Sequence, residues 1–123
     1  MGNATLRCEY IWLDGAETPQ LRSKTRVITV ASEDDTWNVQ LKDFPVWGFD
    51  GSSTEQATTD NSDCVLRPVF VCTDSNRPSG VLILCDVLNT DLSPHKSNSR
   101  ARLIDAMINH GESLPAVGFE QEY

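Results

Sequence analysis

The chain has no long apolar run, a shortage of basic residues and no pairing pattern among its cysteines, and each absence excludes a class of function. No stretch of 18 apolar residues occurs in the 123 positions, so no transmembrane helix is expected and no membrane is expected as a partner. The start, Met1-Gly2-Asn3-Ala4-Thr5-Leu6-Arg7, lacks the basic-then-apolar order of a secretory signal, and Met1-Gly2 with Thr5 fits a myristoylation pattern only loosely. Ten Lys and Arg stand against eighteen Asp and Glu, a formal net charge of −8. A nucleic-acid binder needs a basic face to neutralise phosphates, so no nucleic acid is expected. The four cysteines, at positions 8, 64, 72 and 85, form no paired metal-ligand motif and are expected as buried free thiols of a reducing, cytoplasmic setting. His95 and His110 have no third ligand at a useful spacing. There is no glycine-rich phosphate loop, and Ser52 and Ser53 have no visible general base, so nucleophilic catalysis is unsupported.

What is present is an apolar fraction of 39% with well-spread aromatics, enough for one folded domain of ordinary size. Residues 5–13 alternate, with Leu6, Cys8, Tyr10 and Trp12 on one face, and predict a strand. After the polar loop opened by Asp14-Gly15, residues 24–31 are β-branched and predict a second strand, antiparallel to the first. Arg22, Lys24 and Arg26 alternate along this region and predict a solvated basic edge, and Glu33, Asp34 and Asp35 a solvated turn. An apolar stretch from Trp37 to Phe49 is interrupted by Pro45. From Asp50 to Asp63 no apolar period exists, and a loop of that length is expected to be functional or mobile. Residues 64–66 and 69–72 predict short strands around Pro68, and residues 81–88 a buried strand. Caps and breakers over 89–97 mark a boundary. A helical period then aligns Leu103, Ile104, Met107 and Ile108, with Ser97 or Asn98 as the cap and His110-Gly111 as the stop. Residues 116–119 predict a last strand that runs into Glu120 and Glu122. The whole is α+β: a mainly β unit followed by one helix and one strand.

Two sets of carboxylates carry the candidate chemistry. On a strand, Glu120 and Glu122 share a face, where like charges need water, a basic partner or a hard cation such as Mg2+. Asp50, at the mouth of the polar loop, reads either as a turn cap, because Asp-Gly is a strong turn signal, or as a group that binds a cation or accepts a proton.

Five segments in order resemble the N-terminal part of glutamine synthetases of the shorter, eukaryotic-like class also found in bacteria. They are Glu9-Tyr10-Ile11-Trp12-Leu13-Asp14-Gly15, Leu21-Arg22-Ser23-Lys24-Thr25-Arg26 and Trp47-Gly48-Phe49-Asp50-Gly51-Ser52-Ser53-Thr54, then Asn61-Ser62-Asp63-Cys64-Val65-Leu66-Arg67-Pro68 and Gly118-Phe119-Glu120-Gln121-Glu122-Tyr123. The resemblance implies a β-grasp domain over residues 1–90 and the start of a catalytic α/β domain over 91–123. It implies ATP-dependent formation of glutamine from glutamate and ammonia through γ-glutamyl phosphate, in a homo-oligomer whose active sites lie between subunits. Glu120 and Glu122 would match carboxylates of divalent-metal sites (Mg2+ or Mn2+), with Glu120 also on the side of the ATP cofactor. Asp50 would match the carboxylate that binds ammonium and removes its proton, with Ser53 steadying the loop. The chain departs from the family at Ala116-Val117, where a Trp-Phe pair is usual. The remaining metal, glutamate and phosphate ligands of the family fall beyond Tyr123, so the chain is expected to be inactive alone. The alternative is a stand-alone β-grasp protein of binding or regulatory function derived from such an enzyme.

Overall fold

Alternation at the N-terminus becomes the strand β1, Gly2–Leu13, and the β-branched segment after the first loop becomes β2, Leu21–Ser32. The computed structural model describes residues 2–32 and 39–122, without the Ser32 side chain. The predicted acidic turn at Glu33, Asp34 and Asp35, Trp37, and the terminal Tyr123 lie outside the described residues. Three further strands follow: β3, Trp47–Asp50, β4, Asp63–Thr73, and β5, Gly80–Leu88. One helix, α1, spans Ser99–Asn109. The strands form one sheet in the order β2-β1-β5-β4-β3. β1 and β2 pair antiparallel from Gly2↔Ser32 to Leu13↔Leu21, as the sequence predicts. The central pair is parallel, from Arg7↔Gly80 to Ile11↔Leu84, so the chain crosses over from the end of β1 to the start of β5.

The core lies on one face of this curled sheet. Leu6, Cys8, Tyr10 and Trp12 of β1 meet Val81, Ile83, Cys85 and Val87 of β5, with Cys64, Leu66 and Phe49 alongside. Period-two alternation puts each set on the same side of its strand. Leu6, Leu66 and Ile83 are fully buried, and burying a side chain of this kind contributes about 1.5–3 kcal/mol. β5 is buried along its core face, with Leu82 and Leu84 on the other face half-buried, in keeping with a central strand that reads as a continuous apolar run.

The two short strands predicted around Pro68 are one strand. The register slips between Pro68 and Phe70, so Val69 is an unpaired bulge, and the pairing of β3 has already stopped at Leu66. A bulge on a strand with a single neighbour is where a proline can sit without removing a ladder bond.

Lys24 and Arg26 do not form the solvated edge the sequence predicts. They share the core-facing side of β2 with Ile28 and Val30 and lie over aromatic rings. Lys24 Nζ is 3.6 Å from the Trp47 ring centre and donates to Gly48 O at 2.5 Å; Arg26 lies over Trp47 at 4.7 Å and donates to the Tyr10 hydroxyl at 3.0 Å. The quadrupole of the indole face holds both cations, and partial burial pushes the Lys24 ammonium below its ordinary pKa. Arg22 instead pairs with Asp14 at 3.0 Å.

Asn98, not Ser97, caps α1. Its Oδ1 accepts from Ala101 N at 3.0 Å, while its amide donates to Val87 O and to Asp86, which Arg67 of β4 holds through both oxygens. The helix itself buries none of its residues: Leu103, Met107 and Ile108 are more than half exposed. The strand predicted over residues 116–119 is absent. Residues 114–122 form neither helix nor strand, since no described segment lies beside them to accept and donate the ladder bonds that a strand requires.

All four cysteines are free, as predicted, but only Cys8, Cys64 and Cys85 are buried. Cys72 sits near the end of β4 and is exposed. Burial raises the other three thiols above their ordinary value, Cys85 to about 12. Because the thiolate is the reactive form, a disulfide reagent at pH 8 is expected to modify one thiol, Cys72, in the native chain and all four in denaturant. Titration of released chromophore with native Cys72→Ser as the blank measures this, and more than one fast thiol in the wild type would contradict the burial of the core cysteines.

Candidate functional site

Asp50 ends β3 and caps the 3₁₀ turn Gly51–Thr54. Its Oδ1 accepts from the Ser52 hydroxyl at 2.6 Å and from Ser52 N at 2.9 Å. The hydroxyl bond, and then the amide bond, hold the carboxyl below the usual Asp value. Asp50 is exposed, and its Oδ2 takes no hydrogen bond among the described residues. The side chain therefore presents one fixed oxygen and one open oxygen on an ionised carboxylate. Ser53 Oγ donates to Asp50 O at 3.2 Å, inside the turn. The cap reading of Asp50 and the cation-binding reading are thus compatible, since capping uses only one of its two oxygens.

A single 3₁₀ turn of four residues has too few internal bonds to hold itself, and the rest of the loop supplies the support. Gly51 N donates to Ser62 O, and Gly51 O accepts from Gln56 N and Ala57 N at 2.8 and 3.1 Å. Glu55 closes the turn in the left-handed region at φ 59°. Gly15, just past β1, donates its N–H to Thr54 O at 2.9 Å. A Cβ on Gly15 would lie 2.2 Å from Glu55 O, so only glycine allows this approach.

Gln56 is buried and makes four side-chain bonds. Its Oε1 accepts from Trp12 Nε1 at 3.2 Å and Thr54 Oγ1 at 2.8 Å; its Nε2 donates to Leu13 O at 3.1 Å and Ser97 Oγ at 3.0 Å. That exhausts the donors and acceptors of an amide side chain. Its backbone carbonyl meets His95 Nε2 at 2.5 Å. The loop from Asp50 onward is therefore tied down by polar contacts, not a mobile excursion. These residues carry no sequence pattern that separates them from ordinary loop polars. The available signal was a glutamine and a threonine two positions apart within a loop that also holds the Asp-Gly turn.

Glu120 and Glu122 lie on the exposed, irregular segment, so the same-face geometry of a strand does not apply to them. No hydrogen bond or ion pair joins either to Asp50 among the described residues. Among the described residues no three His, Cys, Asp or Glu side chains gather as a metal site. Two exposed carboxylates have the right oxygen chemistry for a hard divalent cation but too few ligands to hold one. Among the described residues no helix is long and apolar enough to cross a membrane.

The family profile described as "Glutamine synthetase, beta-Grasp domain" matches residues 5–90. The chain belongs to the glutamine synthetase family. It is 50% identical over 121 residues to a glutamine synthetase of Streptomyces viridochromogenes, covering 97% of this chain and 34% of that protein. It is 47% identical over 119 residues to one of Bradyrhizobium diazoefficiens (95% and 31%), and 40% identical over 130 residues to a chloroplastic one of Chlamydomonas reinhardtii (96% and 32%). The chain thus spans about a third of the length of the glutamine synthetases it matches. The β-grasp and α+β expectations hold, and the lineage is that of a ligase.

Two outcomes follow for the Asp50 turn. Gly15→Ala forces the Glu55 carbonyl away and is expected to destabilise the chain by about 1–3 kcal/mol in urea unfolding; a loss below about 0.5 kcal/mol would show that the loop moves freely. Because the folded-state pKa of Asp50 lies below its ordinary 3.8, its contribution to stability is complete above 3.8 and is lost as pH falls through the lowered value. Ser52→Ala is expected to raise the Asp50 carboxyl titration, followed by carbon NMR, toward the ordinary value.

Proposed function

We infer that this chain supplies the β-grasp part of a glutamine synthetase, an enzyme that joins glutamate and ammonia in an ATP-dependent reaction through γ-glutamyl phosphate. The observation that carries the reading is the Asp50 turn: an exposed, ionised carboxylate with one oxygen fixed by Ser52 and the other open. Such a group suits ammonium, whose four N–H donors seek charge-assisted acceptors. Asp50 would bind NH4+ through Oδ2 and take a proton from it, releasing ammonia as the nucleophile. The Ser52 bonds keep Asp50 ionised, which favours binding of the cation, and Ser53 holds the backbone of Asp50.

The turn lies at the surface of the domain, which fits the family's arrangement of a site completed by a neighbouring subunit in a homo-oligomer. Residues 1–90 would form the β-grasp domain and 91–123 the start of the catalytic domain, in a cytoplasmic enzyme. Glu120 and Glu122 would join a Mg2+ or Mn2+ site, and Glu120 the ATP side, only with ligands supplied from elsewhere in a longer chain. Their exposure here is in keeping with that reading, and among the described residues no third ligand gathers beside them.

A chimera tests the proposal. Residues 1–123 replace the matching segment of the Streptomyces viridochromogenes glutamine synthetase. The chimera is expected to form γ-glutamyl hydroxamate or glutamine in an ATP-, Mg2+- and glutamate-dependent manner, and Asp50→Asn to lower kcat by about 10²- to 10⁴-fold. An assembled, folded chimera whose turnover is indifferent to Asp50→Asn would overturn the assignment of Asp50.

A further inference from the structure

The geometry points to Gln56 as the positioning residue of the Asp50 turn, with His95 and Ser97 coupling that turn to the segment that leads into α1. Gln56 stands where three parts of the chain converge. Trp12 and Leu13 are the end of β1, Thr54 is the end of the 3₁₀ turn, and Ser97 lies two residues before the first residue of α1. One side chain bonds to all three, and its own backbone N–H closes the turn onto Gly51 O. Asp50 fixes the N-terminal end of the turn and Gln56 the C-terminal end. With so few bonds inside the turn, releasing one end releases the other.

The His95 contacts set a direction to this coupling. Ser97 N donates to Nδ1 at 3.0 Å, so Nδ1 is the acceptor and a neutral ring carries its proton on Nε2, which donates to Gln56 O. Ser97 Oγ, 2.8 Å from the same Nδ1, accepts from Gln56 Nε2 and can point its own proton at the ring. The ring, the serine and the glutamine thus form a closed cycle, in which the one Nδ1 lone pair is shared by the Ser97 N–H and Oγ–H. His95 N also donates to Val87 O at 3.1 Å, anchoring the cycle to the end of β5. The segment can leave this position only by breaking bonds to Gln56. A buried amide that loses them forfeits both its partners and its solvation. The turn and the segment therefore move together or not at all. The consequence for ammonium binding rests on the reading of Asp50 given above; the positioning itself does not.

The experiment is NMR on the 123-residue chain, with three observables: the Asp50 carboxyl titration, hydrogen exchange at the Gly51 amide, and the His95 ring nitrogens. In the wild type the ring is expected as the Nε2–H tautomer. Gln56→Met keeps the side-chain length and removes the four bonds. It is expected to shift the Asp50 titration upward, to speed Gly51 exchange by at least about tenfold, and to lose the tautomer preference. Ile83→Val lowers stability through the core without touching the cycle, and is expected to leave all three in place. Asp50 and Gly51 signals that move no further in Gln56→Met than in Ile83→Val would overturn the proposal. Where Gln56→Met fails to fold, Ser97→Ala decides, because it removes one bond each from Gln56 and His95. Faster Gly51 exchange in it supports the coupling, and unchanged exchange overturns it. An inactive chimera with these shifts present would sink the ligase reading alone.

Discussion

The parallel pairing of β1 with β5 is the constraint on which the rest depends. It brings together strands separated by the whole crossover from Asp14 to Ser79, and only through it do Cys8 and Tyr10 meet Val81 and Ile83 in one core. The hairpin of β1 and β2 on one side is a two-stranded ribbon, marginal alone in water, and through this ladder it joins its apolar face to that of β5, β4 and β3. The same constraint fixes where the crossover must pass. A parallel connection has to return along the sheet, and here it does so past the C-terminal end of β1, where Leu13 and Gly15 present backbone groups that need partners. Thr54 and Gln56 meet them. The position of the Asp50 turn is thus a consequence of the central ladder as much as of the loop sequence.

That return path is polar, and it is ordered by hydrogen bonds because apolar packing is not on offer. The loop from Gly51 to Ser62 contributes mainly Thr54 and Gln56 to the interior, and every polar atom of the Gln56 side chain is satisfied. A satisfied buried bond adds about 0.5–1.5 kcal/mol, but an unsatisfied group costs about 1–3 kcal/mol. The set therefore behaves cooperatively: its members hold the loop together, and the loss of one penalises the partners it leaves behind. An exposed carboxylate gains a fixed position from such a frame. The exposed Asp50 keeps a fixed orientation because the groups behind it, not those around it, are rigid.

How much of this was legible in the sequence differs by type of interaction. Period-two alternation revealed β1 and the core residues Leu6, Cys8, Tyr10 and Trp12, β-branched content revealed β2, and a continuous apolar run revealed β5, because each is a local pattern. The helix and its stop at His110 were legible for the same reason. Pro68 misled, since a proline argues against a continuous strand and the bulge at Val69 that accommodates it depends on where β3 ends. Lys24 and Arg26 misled because alternation gives the face but not what covers it, and Trp47 comes from a strand three places further across the sheet than β1. Asp50 was visible through its Asp-Gly turn and the family resemblance. Gln56, His95 and Ser97 were not, because their partners lie about forty positions away and no spacing rule connects them.

The segment after the helix shows the converse. An apolar stripe at helical spacing and a short apolar run before Glu120 are both local patterns, and the helix formed while the strand did not. An α-helix satisfies its own backbone, so Ser99–Asn109 can stand with Leu103, Met107 and Ile108 exposed once Asn98 anchors its start to Asp86 and Val87. A strand satisfies nothing without a neighbour, and residues 116–119 have none among the described residues. The two candidate sets of carboxylates inherit this asymmetry. Asp50 owes its geometry to a turn that closes on itself and on β1. Glu120 and Glu122 would share a face only if a sheet gave their backbone an edge to pair with, so any ordering of that pair has to come from added strand partners and cannot precede them.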